Sequence, residues 1–168
     1  MLTFITGGAR SGKSRYALDL VGGYARPAFI ATAEPFDDEM RDRIRRHREE
    51  REERFFTIEE PLDLAGALRR LPPGTDIAVV DCLTVWLGNL LHRGLEGEVE
   101  AFLEVLSDVP CPLVVVSNEV GFGGIAMSPL GREFADRLGR LNQEVAARAD
   151  RAVMIVSGLP LVLKGGPG

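Results

Sequence analysis

An α/β fold with a mostly parallel sheet flanked by helices is predicted by three features of the chain. Apolar runs of about five residues recur along it, the length and character of strands covered on both faces. Helix-compatible stretches separate these runs, as βαβ units require. A glycine-rich octet, Gly7-Gly8-Ala9-Arg10-Ser11-Gly12-Lys13-Ser14, joins the first run to the first helical stretch, Arg15 to Leu20.

The strand candidates are Leu2–Thr6, Ala28–Thr32, Ile77–Asp81, Leu113–Ser117 and Ala152–Val156, with Phe55–Ile58 and Leu161–Leu163 as edge strands. Pro72-Pro73-Gly74 and Pro110-Cys111-Pro112 break the chain before the third and fourth runs, and Arg93–Gly97 reads as a loop between helices. No internal repeat or long linker divides the sequence, so one nucleotide-binding domain over residues 1–168 is expected. Asp37 to Arg54 contains neither Gly nor Pro and is expected to be a helix about 27 Å long.

The octet fits G-x-x-x-x-G-K-[ST], with Gly7, Gly12, Lys13 and Ser14 at the fixed positions. Its glycines let backbone N–H groups converge on an anion, and the following helix adds the positive end of its dipole. Lys13 is placed to reach β/γ-phosphates and the Ser14 hydroxyl to hold Mg²⁺. A P-loop fold is therefore predicted, with a nucleoside triphosphate as ligand.

In open α/β sheets ligands sit beyond the carboxyl ends of the strands, which draws attention to Thr32-Ala33-Glu34, Asp81 and Asn118-Glu119. Asp81 closes four apolar residues, the Walker B form, and is a candidate for Mg²⁺ beside Ser14. The same residue could be a helix N-cap, a role open to Thr84 as well. Asn118-Glu119 opens a glycine-rich stretch, Gly121 to Gly124, that reads either as a loop closing over substrate or as a plain connection. The Asn-Lys-x-Asp signature of guanine-specific switch proteins is absent.

Bulk properties narrow the function. The 168 residues are 45% hydrophobic and 27% charged, ordinary globular values, and the net charge of −5 disfavours nucleic acid as a partner. Cys82 and Cys111 stand apart, without zinc or disulfide spacing. The apolar stretches are strand-length, so no membrane span is expected, and a cytoplasmic location is the default.

On the charged segment, Met40, Ile44 and His47 share one helical stripe, with Arg43, Arg51 and Glu50 one turn from the histidine. A neutral imidazole flanked by guanidinium groups can attack phosphorus. Eight acids and seven arginines between Asp37 and Arg54 are equally consistent with a solvated, salt-bridged surface carrying His47 along.

Several segments occur together in one order. They are the octet, Ile30–Ala33, Asp37–Met40 with Arg43-Ile44 and His47, Asp81–Thr84, Asn118–Gly121, Gly139–Gln143 and Ala149-Asp150. In this the chain resembles the bifunctional adenosylcobinamide kinase / adenosylcobinamide-phosphate guanylyltransferase family of cobalamin biosynthesis, from Leu2 to Lys164. The resemblance implies a RecA-like P-loop fold and a homotrimer. It implies phosphorylation of the aminopropanol hydroxyl of adenosylcobinamide by ATP or GTP, then GMP transfer from GTP through a guanylylated histidine, with release of pyrophosphate. His47 matches that histidine, and Thr32, Ala33, Glu34, Arg48, Glu49, Glu50, Arg51, Glu59 or Glu60, and Asp81 match the nucleotide-contacting regions. Where the family usually reads Ile-Val-Pro, this chain has Gly124-Ile125-Ala126, with Pro129 downstream. A single-activity P-loop kinase and a RecA-like ATP-driven assembly or DNA-binding module are the alternatives.

Overall fold

The computed structural model describes residues 1–34 and 54–166. Seven strands form one sheet in the order β3-β2-β4-β5-β1-β6-β7. They are β1 (Leu2–Gly7), β2 (Pro27–Ala31), β3 (Phe56–Glu59), β4 (Ile77–Asp81), β5 (Leu113–Val116), β6 (Arg151–Val156) and β7 (Leu159–Lys164). All neighbouring pairs are parallel except β6–β7, an antiparallel hairpin at one edge.

The five continuous apolar runs are strands because both faces of the sheet are covered. Along β4, Ala78 and Val80 enter one core while Ile77 and Val79 enter the other. β1 divides similarly, with Leu2 and Phe4 on the first side and Ile5 on the second. Period-two alternation of side chains sends each run into two cores at once. The helix α1 (Lys13–Leu20) contributes Ala17 to the second core. On the first side lie α2 (Leu64–Arg69), α3 (Leu83–Arg93), α4 (Glu98–Val105) and α5 (Pro129–Arg148). Its largest pairing sets Trp86 against Phe102, ring centres 5.0 Å apart, while the indole N–H donates to the Leu62 carbonyl at 2.7 Å.

Helix ends follow from local chemistry. Asp63 caps α2 by accepting from the Gly66 N–H, and Ser128 caps α5 by accepting from that of Gly131, with Pro129 in its first turn. Gly94, at φ 65°, terminates α3 in the left-handed conformation, so the Arg93–Gly97 loop stands where expected. β3 and β7 occupy the two sheet edges, as foreseen; β3 is shifted one residue from its expected bounds, and β7 extends beyond Leu161–Leu163 at both ends. The expected helix at 37–54 falls outside the described residues save for Arg54. That residue lies in a turn, where its guanidinium donates to the carbonyls of Val21 and Gly22.

Among the described residues no helix is long and apolar enough to cross a membrane.

Candidate active site: the phosphate loop and the carboxyl rim

β1 delivers the chain to the rim at Gly7, whose φ of 146° and close approach to the backbone of Ile155 leave no room for a β-carbon. Arg10 and Gly12 also take positive φ, 56° and 99°, and Gly12 caps α1. The loop is thereby curled over the first turn of α1. The hairpin turn between β6 and β7 supports it, because the Gly158 N–H donates to the Ser11 carbonyl at 2.8 Å.

Lys13 is buried, and its ammonium donates to the Gly8 carbonyl at 2.5 Å. Burial holds its pKa below the usual lysine value, opposed by Cys82 and Asp81. The ammonium is thus poorly solvated, an arrangement that favours arrival of a polyanion. The side chains of Ser14 and Asp81 are half-buried and make no hydrogen bond to other described residues.

Next to Asp81 a compact polar lock ties β2 to β4. The Thr32 hydroxyl donates to the Cys82 carbonyl and accepts from the Cys82 N–H, both at 2.9 Å. Burial, then the charge of Asp81, pushes the Cys82 thiol up to about 11. From α3, buried Asn89 donates to the carbonyls of Thr32 and Pro61 at 2.9 and 3.1 Å. Glu34 is ion-paired with Arg93 at 2.9 Å.

β5 ends in a second lock. Glu119 accepts from the Thr6 hydroxyl at 2.7 Å and from the Asn142 amide at 3.3 Å, and its own N–H donates to the Gly7 carbonyl at 3.1 Å. The Asn118 N–H donates to the Thr84 hydroxyl at 2.9 Å.

Two alternatives left open by the sequence are decided here. Neither Asp81 nor Thr84 caps α3: Cys82 holds the cap position in extended conformation, without a side-chain cap bond. Asp81 closes β4, as the sequence indicated, and the Thr84 hydroxyl accepts from the Asn118 N–H.

The octet Gly7–Ser14, Thr32, Ala33, Glu34 and Asp81 all gather at this rim. Glu59 and Glu60 do not stand beside the phosphate loop. Glu59 closes β3 and Glu60 follows it, four strand positions from β1, about 19 Å across the sheet. The Glu60 carboxylate accepts from the N–H groups of Leu62 and Asp63 at 3.0 and 2.9 Å, organising the entry to α2. His47, Arg48, Glu49, Glu50 and Arg51 lie outside the described residues. Thr6, Asn89 and Arg93 are rim residues that motif reading passed over, and Asn142 entered it only within the Gly139–Gln143 segment, with no role given. A polar residue on an otherwise buried helix stripe was the available signal for Asn89 and Asn142.

Residues 3–163 match the family model for cobinamide kinase / cobinamide phosphate guanyltransferase. The chain belongs to this family. It is 45% identical over 173 residues to the bifunctional adenosylcobalamin biosynthesis protein CobP of Pseudomonas aeruginosa, covering 99% of each. To the corresponding CobU protein of Escherichia coli it is 33% identical over 181 residues, covering 98% of this chain and all of that one. The fold is shared with the KaiC-like protein PH0186 of Pyrococcus horikoshii (TM-score 0.51, 15% identity, 91% of this chain and 69% of that one). It is shared too with PH0250 of the same organism (TM-score 0.58, 8% identity, 99% and 87%). The CobU-family chain is thus a RecA-like P-loop protein, its sheet mostly parallel and flanked by helices.

Proposed function

We propose that this protein is both a kinase and a guanylyltransferase, acting on adenosylcobinamide with ATP or GTP and then on adenosylcobinamide phosphate with GTP. The observation that carries the reading is the family match over nearly the whole chain, joined to a built phosphate loop whose lysine is buried at the rim.

In the kinase step the substrate hydroxyl oxygen attacks the γ-phosphorus, the bond to the β–γ bridging oxygen breaks, and the nucleoside diphosphate leaves. The hydroxyl proton passes to solvent. The loop N–H groups hold the phosphates, and Lys13 exchanges the Gly8 carbonyl for the β/γ-oxygens. In the transferase step a ring nitrogen of His47 attacks the α-phosphorus of GTP, and pyrophosphate departs with the α–β bridging oxygen. A phosphate oxygen of adenosylcobinamide phosphate then attacks the same phosphorus, returning the electron pair to imidazole and giving adenosylcobinamide-GDP. Splitting one displacement between two anions into two steps is the gain from the histidine. Arg48–Arg51, with Thr32, Ala33 and Glu34, complete the nucleotide contacts, and so does the acid at Glu59 or Glu60.

Ser14 and Asp81 fit Mg²⁺, since neither side chain hydrogen-bonds another described residue. An ion held chiefly through nucleotide phosphates and water needs only one or two protein oxygens. When bound, Mg²⁺ neutralises charge growing on the departing phosphates.

A homotrimer completes the proposal. Leu159, Leu161, Val162 and Leu163 leave β7 apolar and exposed at a sheet edge, a surface that soluble chains cover.

The test is to supply adenosylcobinamide, ATP, GTP and Mg²⁺ and follow products by mass. Adenosylcobinamide phosphate followed by adenosylcobinamide-GDP is expected. Phosphate ester that never advances would reduce the protein to a single-activity kinase, and no corrinoid product at all would overturn the reading.

A further inference from the structure

The glycine-rich connection between β5 and α5 has a surface unlike the rest of the chain. Phe122, Ile125, Met127 and Leu130 are 73, 86, 97 and 71% exposed within nine residues. A single exposed apolar side chain is ordinary, whereas a cluster of large ones marks a binding surface. From Val120 to Gly131 no residue is charged, in a protein that is 27% charged. Such a surface offers nothing to a phosphate or a nucleic acid.

The loop is also fixed at both ends. Glu119 ties its start to Gly7 and Thr6 of the phosphate-loop strand. At its far end the Arg132 guanidinium donates to the carbonyls of Ala126 and Met127 at 3.0 and 2.9 Å, and Ser128 caps α5. Apolar side chains carried on a braced backbone lose little freedom on contact, which favours binding.

Both substrates in the proposed function present the same problem. Their reacting group ends a flexible arm, while their bulk is a broad macrocycle edged by methyl and amide groups. The loop begins one hydrogen bond from the phosphate loop, so a ring lying on it is near the rim that its arm must reach.

We propose that Phe122, Ile125 and Met127 form the platform on which the corrin ring of the substrate rests, a reading that depends on the corrinoid function above. The loop sets the affinity for the ring and takes no part in gripping the nucleotide.

The experiment uses the triple variant Phe122→Ser, Ile125→Ser, Met127→Ser of the full chain. KM for adenosylcobinamide and for its phosphate is expected to rise about 10- to 100-fold, given the apolar area withdrawn. KM for GTP, and the yield of guanylylated protein made without corrinoid, should equal wild type. Phe122→Leu should restore most of the affinity. Equilibrium dialysis of adenosylcobinamide phosphate, read by corrin absorbance without nucleotide, checks binding directly. An unchanged corrinoid KM in the triple variant overturns the platform. So does a variant that alters subunit number in light scattering, which would assign the loop to a second copy of the chain. Wild-type protein that turns over no corrinoid would instead remove the function on which the platform rests.

Discussion

The inner and outer parts of the carboxyl rim are built on opposite terms. At the ends of β1, β4 and β5, polar side chains are buried and paired over long sequence separations, as with Thr6 and Glu119, 113 positions apart. The Thr32–Cys82 lock has the same character. At the loop from Gly121 to Leu130 and along β7, large apolar side chains stand exposed instead. Buried polar groups tolerate no loss of a partner, because the survivor stays desolvated. Exposed apolar groups cost the isolated chain little when removed. The inner rim therefore specifies geometry for phosphate chemistry, and the outer surfaces are left for binding.

That contrast can be broken at several points. Lys13→Ala should reduce both kinase and guanylyltransferase kcat/KM by about 10²- to 10³-fold, with circular dichroism unchanged. Normal turnover would show that the buried ammonium is not part of the shared phosphate site. Glu119→Ala, which strands the Thr6 hydroxyl and the Asn142 amide, should lower unfolding free energy in urea by about 1–3 kcal/mol. Phe122→Ser, on the outer surface, should stay within about 0.5 kcal/mol of wild type. Equal losses in the two variants would erase the distinction between the regions.

The Cys82 thiol sharpens the contrast through pH. An acid whose folded pKa is raised, here from 9.0 to about 11, contributes stability fully present below the unfolded value and lost as pH rises through the folded one. The urea midpoint of wild type should thus fall between pH 9 and 11 more steeply than that of Cys82→Ala. Parallel slopes would mean that the thiol titrates as in the unfolded chain.

What could be read from the sequence was what local patterns encode. The five apolar runs announced themselves as two-faced strands, and Gly7, Gly12, Lys13 and Ser14 announced a phosphate loop by spacing alone. Asp81 was legible as a strand-end acid, yet its competing role as a cap was not separable until Cys82 was seen in the cap position. The partners of Glu119 and Thr32 were illegible, since a hydroxyl on β1 and an amide on α5 meet only after the sheet is assembled. Helix α2, short and rich in small residues, carried no periodicity long enough to register. The separation of Glu59 and Glu60 from the phosphate loop depends on strand order, and strand order is not a local property.

The most direct measurement is a pulse and chase. Wild-type protein is incubated with Mg²⁺ and GTP labelled at the α-phosphorus, freed of nucleotide, and then given unlabelled adenosylcobinamide phosphate. Label should be held by the protein in an acid-labile, base-stable bond, be absent from His47→Ala, and pass to the corrinoid during the chase. Label retained equally by His47→Ala, or never surrendered to the corrinoid, would contradict transfer through that histidine.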